Sequence, residues 1–215
     1  MLVEIILGLI FFSIFATVIM TLVGTLWIDR LYRSSAELTF PEKISARSRF
    51  RRPILFCSFA VLNGIIFLST DLPEKFFLLA AIFFLVLMTV TDFEQYMLFD
   101  AMTLPFALIG AAYVWQMNLN IIDHAVAALF GGVFFLLLMI FTKGALGGGD
   151  VKLVAALGLW LGSENLLNVV ILATIIGGLA AVLMIVTKQK DRNSYFAYGP
   201  YFTLTAIYFL VAPNI

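Results

Sequence analysis

The sequence predicts an all-α, polytopic membrane protein with about eight transmembrane helices, one of them short or discontinuous. Three observations carry this. Of 215 residues, 63% are hydrophobic and only 12% charged, and the mean hydropathy is +1.08; an average soluble domain carries about 25% charged residues. A single soluble core of this size cannot shield so much apolar surface from water. Charges divide the chain into eight apolar stretches, and the basic residues fall almost entirely on one side when those stretches are threaded alternately through a bilayer. A soluble globular enzyme, a nucleic-acid binder and a disordered chain are thereby excluded. The expected surroundings are a lipid bilayer, with no nucleic-acid partner.

The first stretch is 5–28. It is no cleavable signal, because Met1-Leu2-Val3-Glu4 lacks a positive start and the apolar run is too long. Segment 29–52 follows, holding Arg30, Arg33, Lys43, Arg47, Arg49, Arg51 and Arg52. It is too short for a folded domain and reads as a basic cytoplasmic loop that sets topology and contacts anionic lipid. Stretches 53–70, 76–91, 101–122 and 125–142 come next, then 153–163, 165–187 and 193–215. A spanning helix needs about 20 residues, and most of these fit. The exception is 153–163, whose helix begins no earlier than about Val151. Its rise of about 20 Å falls short of a hydrocarbon core of roughly 30 Å. It is expected to be a partial span with its N-terminal end sunk into the protein, where irregular backbone is tolerated only if buried or lining a cavity.

Counting through eight spans puts 12 of the 13 basic residues in the cytoplasm, with Lys75 outside beside Glu4, Asp71, Glu74, Asp123 and Glu164. Both termini are then outside, and 1–215 reads as a single membrane domain. The lone Cys57 permits no intrachain disulfide or multi-thiolate metal site, and is expected to be a packing residue. The lone His124, beside Asp123, is expected to be structural. No metal and no cofactor are expected.

Acidic residues at membrane depth are costly and are functional candidates by default. Asp92 ends the apolar run 76–91, and Asp150 follows Gly147-Gly148-Gly149 and opens the short helix. The topology brings both to one depth on the cytoplasmic side. Plainer readings stand beside this: glycines and an aspartate before a helix also make a flexible turn with a cap, and Asp92, Glu94 and Asp100 also suit a solvated loop. The shared context favours chemistry. Gly147 and Gly149 remove side chains around a carboxylate, so that a substrate backbone can approach. Two neighbouring carboxylates cannot both ionise readily, so one remains a base that activates water and the other an acid. The pair titrates as a unit, and neither role belongs to a particular residue. Amide hydrolysis without metal or covalent intermediate is the chemistry that results.

Four blocks in order resemble the type IV prepilin peptidases, membrane aspartic peptidases of the Gly-x-Gly-Asp class. They are Asp92 to Asp100 followed by Ala101-Met102-Thr103-Leu104-Pro105, then Leu146 to Leu153, then Ala155 to Gly162, and finally Phe196-Ala197-Tyr198-Gly199-Pro200-Tyr201. The resemblance runs from Phe76 to Val211 and implies a peptidase core at 76–212. Phe99 stands where the family has proline. The resemblance implies an endopeptidase that cuts the leader from type IV prepilins or type II secretion pseudopilins at the cytoplasmic face of the bacterial inner membrane. Asp92 and Asp150 take the positions of its catalytic pair, with Gly147, Gly149, Lys152, Asp100 and Glu94 in support; Glu94 and Asp100 are expected to attract the substrate's basic leader. Bifunctional members that also N-methylate their product carry two Cys-x-x-Cys pairs in a longer first loop, resembling a zinc site. Segment 29–52 has no cysteine, so no zinc is expected and N-methyltransferase activity is not supported. The alternatives are an ion- or proton-coupled membrane transporter, whose helices are often discontinuous, and a catalytically silent pilus-assembly paralogue, against which Asp92, Asp150 and Lys152 argue.

Overall fold

The computed structural model describes residues 2–35, 38–69, 73–142, 146–188 and 196–212. The described chain is all-α. Helix α1 spans Leu2–Ser34, and a 3-10 turn at Pro41–Lys43 and a short α2 at Ile44–Arg47 lead into α3, Arg51–Ser69. Then come α4 (Glu74–Gln95), α5 (Asp100–Gln116), α6 (Ile121–Phe141), α7 (Gly148–Val186) and α8 (Gly199–Val211). Five helices, α1, α3, α4, α6 and α7, are long and apolar enough to cross a membrane, so the protein is a multi-pass membrane protein. Asp71, Lys143, Gly144, Ala145, Lys190 and Arg192 lie outside the described residues.

Helix α4 is the centre of the bundle. Leu78, Ile82, Leu85, Leu87 and Met88 are fully buried along it, and it packs against α3, α5 and α8. Few apolar contacts distinguish helix neighbours from lipid, so polar bridges add specificity at these seams. Thr89 on α4 meets the Thr203 hydroxyl on α8 at 2.6 Å. Asn63 on α3 donates to Thr17 on α1 at 3.0 Å, and Trp160 on α7 donates to the Phe106 carbonyl on α5 at 2.8 Å.

Helix α7 is a hairpin. A Cβ on Gly131 of α6 would meet Leu166 at 2.9 Å and Val154 at 3.2 Å. Residues that far apart in one straight helix would be separated by about 18 Å, so the two limbs fold back on each other and both lie along α6. The reversal is at Gly162, with φ 70° and ψ −178°, a region essentially restricted to glycine. Polar groups freed by the break find partners at the start of α6. The Ser163 amide donates to Asp123 Oδ2 at 3.1 Å, and His124 Nδ1 pairs with the Leu159 carbonyl at 2.9 Å. His124 therefore holds structure, as expected.

With the hairpin counted as two, a helix lies within each of the eight expected apolar stretches, with several corrections of detail; in the last, 193–215, the described helix is only Gly199–Val211. The short limb starts at Gly148 rather than near Val151, because Gly147 caps it. It still rises only about 21 Å. The segment expected as a loop at 29–52 is shorter, since α1 continues to Ser34 and α3 begins at Arg51. Helix α5 stops at Gln116, short of the expected 122, as Asn120 caps α6 through the amides of Ile122 and Asp123. Cys57 is exposed and packs into no core of this chain, contrary to expectation.

Candidate active site

Asp92 sits in the last turns of α4, whose carbonyl accepts from the Tyr96 amide at 2.9 Å; Tyr96 ends the helix in the left-handed conformation. Its side chain is only 5% exposed. Asp150 is the third residue of α7. Its Oδ2 accepts from the Gly147 amide at 3.2 Å, so it caps its own helix from inside rather than from the expected cap position. The two carboxylates are close enough for their charges to interact. Two aspartates far apart in sequence are thus brought to one end of the bundle, Asp92 at the C-terminal end of α4 and Asp150 at the start of α7.

Their surroundings are asymmetric. Asp150 has a backbone donor, whereas Asp92 Oδ2 is buried without a hydrogen-bond partner among the described residues. The backbone of Gly199, first residue of α8, lies against Asp92: the Gly199 amide faces the carboxylate without forming a bond to Oδ2, and a Cβ there would stand 2.7 Å from Oδ2. Leu98 joins the two sides, since it lies 3.0 Å from where a Gly149 Cβ would be and 3.4 Å from that of Gly199. Gly147 thus lies against the Asp150 carboxylate, whereas the nearest atoms to a Gly149 Cβ all belong to Leu98. Gly199 was not among the expected site residues; the Gly199-Pro200 start of a helix was the available signal.

Asp100 and Lys152 form an ion pair at 2.7 Å on the exposed surface of the same end. Asp100 opens α5, and Lys152 follows Asp150 by two positions. Thr103, Leu104, Ala107, Ala128, Ala155 and Leu159 continue from this pair as an apolar groove of about 420 Å³ between α5, α6 and α7. Phe99 keeps φ at −79°, within the range proline adopts, so its replacement of proline leaves the backbone entry to Asp100 unchanged. Glu94 departs from its expected part. It is buried, bonded to Arg51 Nη2 at 2.5 Å and to the Tyr32 hydroxyl at 2.9 Å, so its charge is spent inside the protein rather than offered to a partner. Arg51 also pairs with Asp29. No cluster of three or more His, Cys, Asp or Glu that could hold a metal ion is found among the described residues.

Residues 79–182 match the type IV leader peptidase family, a segment that contains both aspartates and ends before Gly199. The chain is 31% identical over 130 residues to the prepilin leader peptidase/N-methyltransferase of Xanthomonas campestris pv. campestris, covering 56% of this chain and 44% of the relative. It is 29% identical over 134 residues to the protein of the same name from Pectobacterium carotovorum subsp. carotovorum, covering 60% and 48%. The corresponding Neisseria gonorrhoeae protein is 33% identical over 128 residues, covering 57% and 43%. The match thus spans less than half the length of each of these relatives. No solved structure matches.

Proposed function

We propose that this chain, whose residues 79–182 match the type IV leader peptidase family, is an aspartic endopeptidase that removes the leader of type IV prepilins or pseudopilins. The active site faces the cytoplasm of a bacterial inner membrane. The observation that carries the proposal is the approach of buried Asp92 and half-buried Asp150 at one end of the bundle, where Gly147 and Gly199 bring bare backbone against their carboxylates.

In this reading the substrate enters laterally as a transmembrane helix, and its scissile peptide leaves the helical hydrogen-bond pattern to reach the pair. One carboxylate takes a proton from water as the water oxygen bonds to the scissile carbonyl carbon. The other, protonated, gives its proton to the departing amide nitrogen as the C–N bond breaks. The roles belong to the pair. The exposed Asp100 carboxylate, shared with Lys152, is the acidic group available to a basic leader now that Glu94 is committed to Arg51. N-methylation is no part of the proposal, since Cys57 is the single thiol in the sequence.

The test is cleavage of a prepilin by the purified protein in detergent, read by intact mass with and without S-adenosylmethionine. A leader-sized mass loss that vanishes in Asp92→Asn and in Asp150→Asn is the expected result. Full activity in either variant at matched expression refutes the two-aspartate assignment. A further gain of one methyl mass refutes the peptidase-only reading.

A further inference from the structure

We propose that the connection between α1 and α3 positions Asp92 by gripping the end of α4, with Arg51 and Glu94 as the principal positioning residues. This rests on the reading of Asp92 as catalytic. The three residues after Asp92 are each held by a different group from this connection or from the helix ends that flank it, Tyr32 of α1 and Arg51 of α3. Arg47 Nη2 donates to the Phe93 carbonyl at 2.6 Å. Glu94 receives Arg51 Nε at 3.0 and 3.1 Å and Nη2 at 2.5 Å, together with the Tyr32 hydroxyl. Gln95 pairs with both backbone groups of Phe40, accepting from its amide at 2.9 Å and donating to its carbonyl at 3.4 Å. Rings reinforce the grip: Phe40 stands edge-on to Tyr96 at 5.2 Å, and the Arg47 guanidinium lies 4.3 Å from the centre of the Phe40 ring.

Stability alone does not account for this arrangement. Arg51 is 3% exposed, and Glu94 and Gln95 are as deeply buried; a buried ion pair is a poor source of stability compared with apolar packing, although it does fix geometry. The Asp92 carboxylate has little to fix it locally: the Gly199 amide faces it, but Oδ2 forms no bond. Asp150 is held by the Gly147 amide, but Asp92 Oδ2 has no bond of its own. The position of the Asp92 carboxylate therefore follows the last turn of α4, which would fray at a free helix end. The grip removes that freedom.

Two readouts test this on the full chain. The first is the kcat and KM of prepilin cleavage by Glu94→Gln and Arg51→Lys. A misplacement of about 1 Å costs roughly a hundredfold in rate, so kcat falls by at least about tenfold while KM stays within about twofold; Glu94→Gln also lowers the thermal midpoint, because buried Arg51 loses a partner, and kcat is therefore read well below that midpoint. Arg51→Lys, which keeps the charge, retains more activity than Arg51→Gln. The second needs no activity: in a Cys57→Ser background, Asp92→Cys and Asp150→Cys are joined by a short thiol cross-linker, and adding Glu94→Gln lowers the yield several-fold. Wild-type kcat together with wild-type cross-linking in Glu94→Gln overturns the proposal. Where Glu94→Gln does not fold, Gln95→Ala, which removes only the Phe40 pair, decides by the same readouts. A wild-type protein that cleaves no prepilin defeats the peptidase reading, while the cross-linking still decides the grip.

Discussion

Asp92 and Asp150 are chemically identical side chains in unequal settings, and the inequality comes from backbone. Gly147 gives Asp150 an amide, whereas Gly199 gives Asp92 proximity without a bond to Oδ2. The absence of a Cβ at 199 is thus a condition for where Asp92 rests. Gly199→Ala would place a methyl 2.7 Å from a buried carboxylate oxygen, and a short side chain on a packed helix has little room to yield. The expected outcome is a loss of about a hundredfold in kcat for leader cleavage with the fold retained, checked by intact-mass assay beside a thermal melt. Unchanged activity would show that Asp92 does not work from its observed position. Both aspartates were legible in the sequence because charge at the end of an apolar run is costly enough to demand a reason. The Gly199 contact was not, because it depends on how two helices remote in sequence meet. Glu94 was misjudged for the same reason: its partners Arg51 and Tyr32 come from α1 and α3, and nothing in the local sequence announces them.

At the scale of elements, the break in α7 decides which side of the bundle each later segment occupies. The sequence marked it by Glu164 between two apolar runs, and the short first limb was read from its length. What could not be read was the latch, in which Asp123 and His124 of α6 satisfy the amide and carbonyl that the reversal frees. Gly162 holds a backbone conformation that costs other residues about 1–3 kcal/mol, and a Cβ there would come 2.4 Å from Asp123 Oδ2. Gly162→Ala is therefore expected to lower the thermal midpoint in detergent, at roughly 2–4 °C per kcal/mol for a chain of this length. Gly178, in the second limb, has nothing within 4 Å of its would-be Cβ, and Gly178→Ala should be neutral or mildly stabilising by helix propensity. Equal effects at the two positions would remove the hairpin argument. The segment before α3 is the opposite case: its basic residues were read as topological, and its folding onto α4 through Gln95 and Arg47 left no periodic signal in so short a stretch.

For the whole molecule, the exposed basic residues and the two candidate aspartates share one end. Arg30, Arg33, Lys43, Arg49 and Arg52 are exposed there, around the same ends of α1, α3 and α4 that adjoin Asp92, while Gly162, Asp123 and Glu74 lie at the other. Retention of basic residues on the cytoplasmic side then orients the entire bundle, and with it the aspartates. The orientation can be tested without any substrate. In a Cys57→Ser background, Glu164→Cys and Arg49→Cys each supply a single exposed thiol, one at each end of the bundle. A membrane-impermeant maleimide applied to cells whose outer barrier has been opened should label Glu164→Cys directly, and Arg49→Cys only once the inner membrane is permeabilised. The reversed pattern would put Asp92 and Asp150 on the outer face, away from any leader retained in the cytoplasm. That result would leave the fold and the meeting of the two carboxylates intact, but it would remove leader cleavage from the reactions the pair could perform.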